Sequence, residues 1–307
     1  MKRLFIIVLL LPAFLLTAGF VNPETQAPSD PPPSKDFVKW IDFNVKKDVL
    51  AACQKKHKTL VAEGITDIGT CELLAYLALK NGNRFNTGKD LKRLSKTTPD
   101  DVRRYNESKY YNYYVKSYHA VLDGIIDPKS GDIIGYFPLA HGFWYSHHDD
   151  FGNSRGYGYK RKHLGNDLFG GMGTPVIAVE GGVITELGWN RYGGWRVGIR
   201  SGGLADPELG HPYENPHRYY YYAHLRKGKP FAEGLAIGDT VAAGQVIGYL
   251  GATGYSRKPD TNMKSKPHLH FGMQIIFDPS QEDGVTELWM DVYEINRFLA
   301  RNRARVE

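Results

Sequence analysis

The sequence predicts an α+β protein: a helical N-terminal region, then a mainly antiparallel β-sheet domain, closed by a C-terminal helix. Three observations carry this. From residue 36 to about 130, apolar residues recur at helical spacing. After about Gly131 glycines become frequent and short β-rich runs alternate with turns: TPVIAVEGGVITELGW, WRVGIRS, RYYYYAHL, QVIGYLG and HLHFGMQIIF. From Asp291 to about Arg301, Val292, Ile295, Phe298 and Leu299 return to helical spacing, as in a helix packed on a sheet.

Taken in order, residues 1–21 open with Lys2 and Arg3 and continue as an apolar run. A positive flank before an apolar stretch reads as an export signal. Thr17, Ala18 and Gly19 offer a cleavage site, while the run is close to the roughly 17 residues that span a bilayer, so signal peptide and uncleaved anchor both stand. No cysteine follows the run, which excludes lipid attachment there. Residues 22–35, NPETQAPSDPPPSK, read as an extended proline-rich linker. In the helical region, residues 36–130, Phe37, Ile41, Val45 and Val49 recur every four residues and predict one face of a first helix. ELLAYLALK (Glu72 to Lys80) predicts a second, ended by Asn81 and Gly82. Thr98, Pro99 and Asp101 supply a cap, a first-turn proline and an acid near the positive helix end. Tyr110, Tyr114 and Tyr118 form a four-residue stripe, which we read as core. His57 and His119 are isolated and are read as ordinary core or surface histidines. Residues 131–307 form the sheet domain with its closing helix.

Composition bounds the function. A chain of 307 residues with 42% hydrophobic content folds over most of its length, as one large domain or two ordinary ones. The net charge of +6 favours an acidic surface as the working environment. No nucleic-acid module and no dense basic run is present, which argues against nucleic acid as a partner. The 20 tyrosines and 5 tryptophans serve a core, or a groove that grips a polymer through ring faces and hydroxyls. Cys53 and Cys71 are the only cysteines; they form one disulfide in an exported chain or remain two buried thiols. Neither lies near the histidines discussed next.

Three short elements carry the chemistry. His268 and His270 alternate along a strand-like run, PHLHFGMQIIF, so both imidazoles face one way. His163 and Asp167 bracket Gly165 and Asn166 in HLGND, where a turn or irregular strand can aim both side chains at one point. In RYYYYAHL, alternation puts Tyr220, Tyr222 and His224 on one face and Tyr219, Tyr221 and Ala223 on the other. Alone, each has an ordinary alternative: surface histidines, a turn aspartate, a structural histidine. Two imidazoles and one carboxylate form a ligand set that suits zinc with one position open, and two further histidines can then act on a water held there.

The combination of HLGND, AHL and TGYS followed by PHLHFG resembles the zinc endopeptidases of the M23 (lysostaphin/LytM-like) group, which cleave peptidoglycan peptides. The resemblance runs from about Tyr157 to Asp278, with GMGTPVIAVEGGVITELGW and GDTVAAGQVIGYLGATGYS matching the frame around the motifs. GDTVAAGQVIG also looks like the hairpin of biotinyl and lipoyl carrier domains, but lacks their modified lysine in a tight turn, and we assign it no chemistry. Two insertions depart from the group's pattern: RKPDTNMKSK before PHLHFG, and the long loop SGGLADPELGHPYENPHRYYYY. Both are expected to reshape substrate choice, and His211 and His217 in the second are read as lying outside the site.

The resemblance implies a LytM-like fold for the sheet domain and zinc held by His163, Asp167 and His270. It implies His268 as general base and His224 as a donor to the developing oxyanion or an orienter of the water, although which is the principal base stays open. Tyr157 or Tyr159 would add a further oxyanion donor. The implied function is a zinc metalloendopeptidase hydrolysing peptide bonds in the stem peptide or cross-bridge of peptidoglycan. Such an enzyme is expected to be exported, with peptidoglycan peptides as partners and membrane contact only through the N-terminal segment. The alternative is a catalytically silent M23-like binding or regulatory module in wall remodelling or sporulation. Such relatives usually lack a ligand, whereas all five positions are filled here. A third reading, a structural zinc module with a closed site, leaves His224 and His268 without a role beyond packing.

Overall fold

The computed structural model describes residues 39–41, 43–156, 160–202, 217–276, 281 and 287–306. The segments read as signal or anchor and as linker, together with Phe37, Tyr157, Tyr159 and His211, lie outside the described residues. The described residues belong to one compact unit, Pro33–Glu307.

In chain order the elements are β1 (Lys39–Ile41), α1 (Lys47–Ala62), α2 (Thr70–Asn81), α3 (Thr87–Leu94), α4 (Pro99–Arg103) and α5 (Lys109–Leu122). There follow β2 (Tyr145–Ser146), β3 (Ser154–Gly156), β4 (Lys160–Lys162), β5 (Asn166–Gly170), β6 (Pro175–Ile177), β7 (Gly182–Asn190) and β8 (Gly194–Ser201). The chain continues through β9 (His217–Ala223), β10 (Thr240–Val241), β11 (Val246–Tyr249), β12 (His268–Ile276), β13 (Leu288–Met290) and α6 (Tyr293–Leu299). Helices and a mainly antiparallel sheet with a closing helix are thus the architecture read from the sequence.

Local chemistry explains several boundaries. Gly82 ends α2 in the left-handed region, at φ 61°, where a residue without Cβ is unstrained. At α4 the Thr98 side chain accepts from the backbone of Asp101, and the Asp101 carboxylate accepts from the backbone of Thr98, with Pro99 in the first turn. The four-residue apolar spacing misleads at the first helix. Ile41 lies in β1, which pairs in parallel with β13, and the helix starts only at Lys47. A spacing of four is also an even spacing, so it fits one face of a strand as well as one face of a helix. The tyrosine stripe of α5 is core at one end only. Tyr118 is buried and Tyr114 stacks on it, whereas Tyr110 is 72% exposed. Tyr111, two turns from Tyr118, takes the buried position instead, because four-residue steps drift around the helix and seven-residue steps nearly do not.

The large sheet runs β1-β13-β12-β9-β8-β7-β10, with β5 joining β12 and β2 joining β5. β12 is therefore central: its first half is bordered by β5 on one edge, and nearly its whole length by β9 on the other. The core face of β9 carries Tyr220 and Tyr222, both fully buried beside Phe271 of β12. The Tyr222 hydroxyl accepts from the Val179 backbone at 2.9 Å, so the buried phenol meets its polar requirement. The helices are tied to this sheet by Arg218 at the start of β9. Its guanidinium makes a two-pronged pair with Glu180 at 2.7 and 2.8 Å and donates to the Ala120 carbonyl of α5. α6 is tied to α1 through Glu294, which accepts from the Lys47 backbone at 3.0 Å. Both cysteines are free buried thiols.

Candidate active site

β5 and β12 run antiparallel with His270 directly opposite Asp167, so the two side chains share a face. His163 precedes β5, and its imidazole turns back onto the same point. Its Nε2 lies 3.0 Å from Asp167 Oδ1 and 2.8 Å from His270 Nδ1, and the latter two atoms are 3.1 Å apart. The three residues are among the groups able to hold a metal ion.

The donor set fits such an ion. His163 donates its Nδ1 proton to the Asp150 carbonyl at 3.0 Å, which commits that nitrogen and leaves Nε2 as a lone pair aimed at the centre. Arg155 donates to Asp167 Oδ2 at 3.1 Å, leaving Oδ1 for the centre. Donors bound tetrahedrally at about 2.0–2.1 Å stand roughly 3.3 Å apart, so the observed triangle needs to open by only a few tenths of an ångström. Burial alone would raise the Asp167 carboxyl, but its bonds to His163 and His270 outweigh this and hold it well below the usual range. Burial pushes the His270 imidazole down to about 4, so it is neutral and able to ligate near pH 7.

The other two histidines face this triangle. His268 and His224 lie with ring centroids 4.8 Å apart, and His268 Nε2 is 4.0 Å from Asp167 Oδ1. Each donates Nδ1–H to a backbone carbonyl, His268 to Lys266 at 2.7 Å and His224 to Thr253 at 2.8 Å. In each ring this leaves Nε2 as the nitrogen not committed to the backbone. Burial, then the neighbouring His268 and His270, hold His224 well below its ordinary value.

Strand alternation does not account for His224. β9 ends at Ala223, and His224 takes a left-handed backbone with φ 62°. Continued alternation would carry it to the core face with Tyr220 and Tyr222. The kink turns it instead toward the face where Tyr221 packs edge-on against His270, 5.9 Å between centroids. The cost of a non-glycine residue there is offset by the His224 amide donating to Gly193 and its ring bonding Thr253.

Sequence reasoning missed the supporting residues. Asp150, 2% exposed, accepts from Arg155 and from Asn166. Asn166 also accepts from Asn296 of α6 at 3.2 Å and bonds His147, which braces the backbone just before Asp167. Asp150 lies in the run HHDDF, whose density of polar residues resembles a loop and gave no sign of burial. His217 sits buried at the start of β9 and bonds the Gly202 carbonyl, outside the constellation as expected. His119, read as isolated, instead bonds both Asp123 and Glu72.

Residues 161–282 match the model of peptidase family M23. The chain is 40% identical over 157 residues to the L-Ala–D-Glu endopeptidase of Bacillus subtilis (strain 168), covering 51% of this chain and 41% of that protein. It is 38% identical over 125 residues to the lysostaphin of Staphylococcus simulans, covering 38% of this chain and 20% of that one. The matched stretch thus spans about two fifths or less of these relatives' own length. Among solved structures, LytM from Ruminococcus gnavus ATCC 29149 superposes with a TM-score of 0.57 at 23% identity, over 89% of this chain and 94% of that chain. That likeness is one of fold, and its coverage reaches beyond the sheet into the helical region. The similarity to peptidase family M23 thus lies in residues 161–282, the stretch that holds His163, Asp167, His224, His268 and His270.

Proposed function

We propose that the chain is an exported zinc-dependent endopeptidase that hydrolyses peptide bonds of bacterial peptidoglycan. His163, Asp167 and His270 would hold the ion, and His224 and His268 would handle protons. The observation that carries this is the shared tautomer of His224 and His268. Two backbone carbonyls take their Nδ1 protons, leaving two basic Nε2 atoms beside a triangle of two imidazoles and a carboxylate. Zinc bound there supplies Lewis acidity to an amide carbonyl and to water. His268, whose Nε2 lies 4.0 Å from Asp167 Oδ1, is suited to remove the proton of the attacking water and return one to the leaving amine. His224, neutral and rigidly held, is suited to orient the water or, once protonated, to donate to the oxyanion. The names of the relatives, an L-Ala–D-Glu endopeptidase and a lysostaphin, support peptidoglycan peptides as the substrate class. The apolar run at residues 4–21 supports export.

The test is digestion of purified peptidoglycan with and without a chelator, followed by zinc addition, with released fragments read by mass spectrometry. Cleavage that stops with chelator and returns with zinc is the expected result. Tight zinc binding with no cleavage of several wall types would overturn the enzymatic reading in favour of a silent binding module.

A further inference from the structure

β3 and β4 form a two-stranded hairpin in which Arg155 stands directly opposite Arg161. Opposed residues of an antiparallel pair share a face, and like charges there repel, so the arrangement needs a compensating role. Arg155 has one, since it bonds the carboxylates of Asp150 and Asp167. Arg161 does not. Its Nη2 donates to the Tyr255 hydroxyl at 2.5 Å, and its guanidinium lies 5.0 Å from the Tyr192 ring centroid and 5.2 Å from that of Tyr255. Its Nε is buried without a hydrogen-bond partner, and no carboxylate among the described residues pairs with it. A half-buried guanidinium held between aromatic rings and lacking an anion is an anion site with its fork pre-set. Its place relative to the candidate centre is fixed by Tyr255, whose ring also stacks on that of His224 at 5.9 Å between centroids.

We infer that Arg161 binds a free carboxylate on the substrate residue next to the scissile amide, so that the chain selects acidic peptides over their amidated forms. This rests on the peptidase reading above. A planar carboxylate fits the guanidinium fork, and a peptide lying across His224 and the metal ligands would bring a flanking acidic group past Tyr255. Arg155 cannot serve, because it is already engaged with Asp167.

The experiment compares peptidoglycan as purified with the same material after its free carboxyl groups have been converted to carboxamides. The full chain with zinc is used, alongside Arg161→Gln and Arg161→Lys. The wild type should release fragments from untreated peptidoglycan about tenfold faster than from amidated material, through KM more than kcat. Arg161→Gln should bring that ratio close to one while keeping the wild-type zinc content. Arg161→Lys, which keeps the charge but loses the fork, should fall between. Equal cleavage of both materials by the wild type, or an unchanged ratio in Arg161→Gln, would overturn the inference. Failure of the wild type to cleave either material would instead remove the peptidase reading, and the carboxylate subsite with it.

Discussion

Gly165 stands against the imidazole of His270. A Cβ added there would lie 2.8 Å from both Cε1 and Nε2 of that ring and 2.5 Å from the Phe271 carbonyl oxygen. Since the Phe271 carbonyl belongs to the backbone of β12, the turn at Gly165 has to shift away from β12 as well as the ring. Gly165→Ala should therefore pull His163 and Asp167 out of register with His270 and weaken metal affinity about 10–100-fold, with some loss of stability. A competition titration with a chromophoric chelator, alongside circular dichroism, checks this; unchanged affinity would mean that the turn and the ring accommodate the methyl group without disturbing the triangle.

Substitutions at His268 and His270 should separate proton transfer from ligation. His270→Ala and Asp167→Ala should lose both metal and activity. His268→Ala should keep most of the metal while activity falls by about 10²–10⁴-fold. Metal content by mass spectrometry and peptidoglycan turnover are read on the same preparations. Metal loss in His268→Ala with retention in His270→Ala would reverse the assignment within the pair.

Tyr222→Phe removes the acceptor of the Val179 amide without altering the ring in the core. The unpaired buried N–H should cost about 1–3 kcal/mol of stability, seen as a lower urea midpoint at unchanged slope. Metal affinity should not change, because Tyr222 lies on the core face of β9.

The His119 imidazole bonds Asp123 at 2.7 Å and Glu72 at 3.1 Å, with Cys71 as a further partner, and these raise it from 6.5 to about 12. A group raised on folding stabilises most below its unfolded value and loses that contribution as pH climbs toward the folded one. His119→Gln should therefore lower the melting temperature most near about pH 6 and progressively less toward pH ~10. A difference that grows with pH would mean that the imidazole is neutral in the folded chain.

The motifs HLGND, AHL and PHLHFG made legible five residues that the fold brings close together, because side chains gathered at one point often sit at short spacings along a strand or turn. What surrounds them was not legible. Asp150, Asn296 and Arg155 reach Asn166 and Asp167 through tertiary contacts that no local pattern encodes. His224 shows the difference within one residue: the sequence names the side chain, while the positive φ that aims it depends on Gly193 and Thr253. Ile41 shows the converse, since an apolar period shared by helix and strand is resolved only when β13 supplies a partner edge.

β5 joins the large sheet through only four residue pairs with β12, and one of these is Asp167 with His270. An ion held by both would act as a rivet across that seam, adding its binding energy to the cohesion of two strands. Stripping the metal should then loosen one join before the rest of the sheet. Amide hydrogen exchange should quicken first in β5, while β8 and β9, zipped along most of their length, stay protected. The chelator that stops the chemistry would also mark where the fold begins to open.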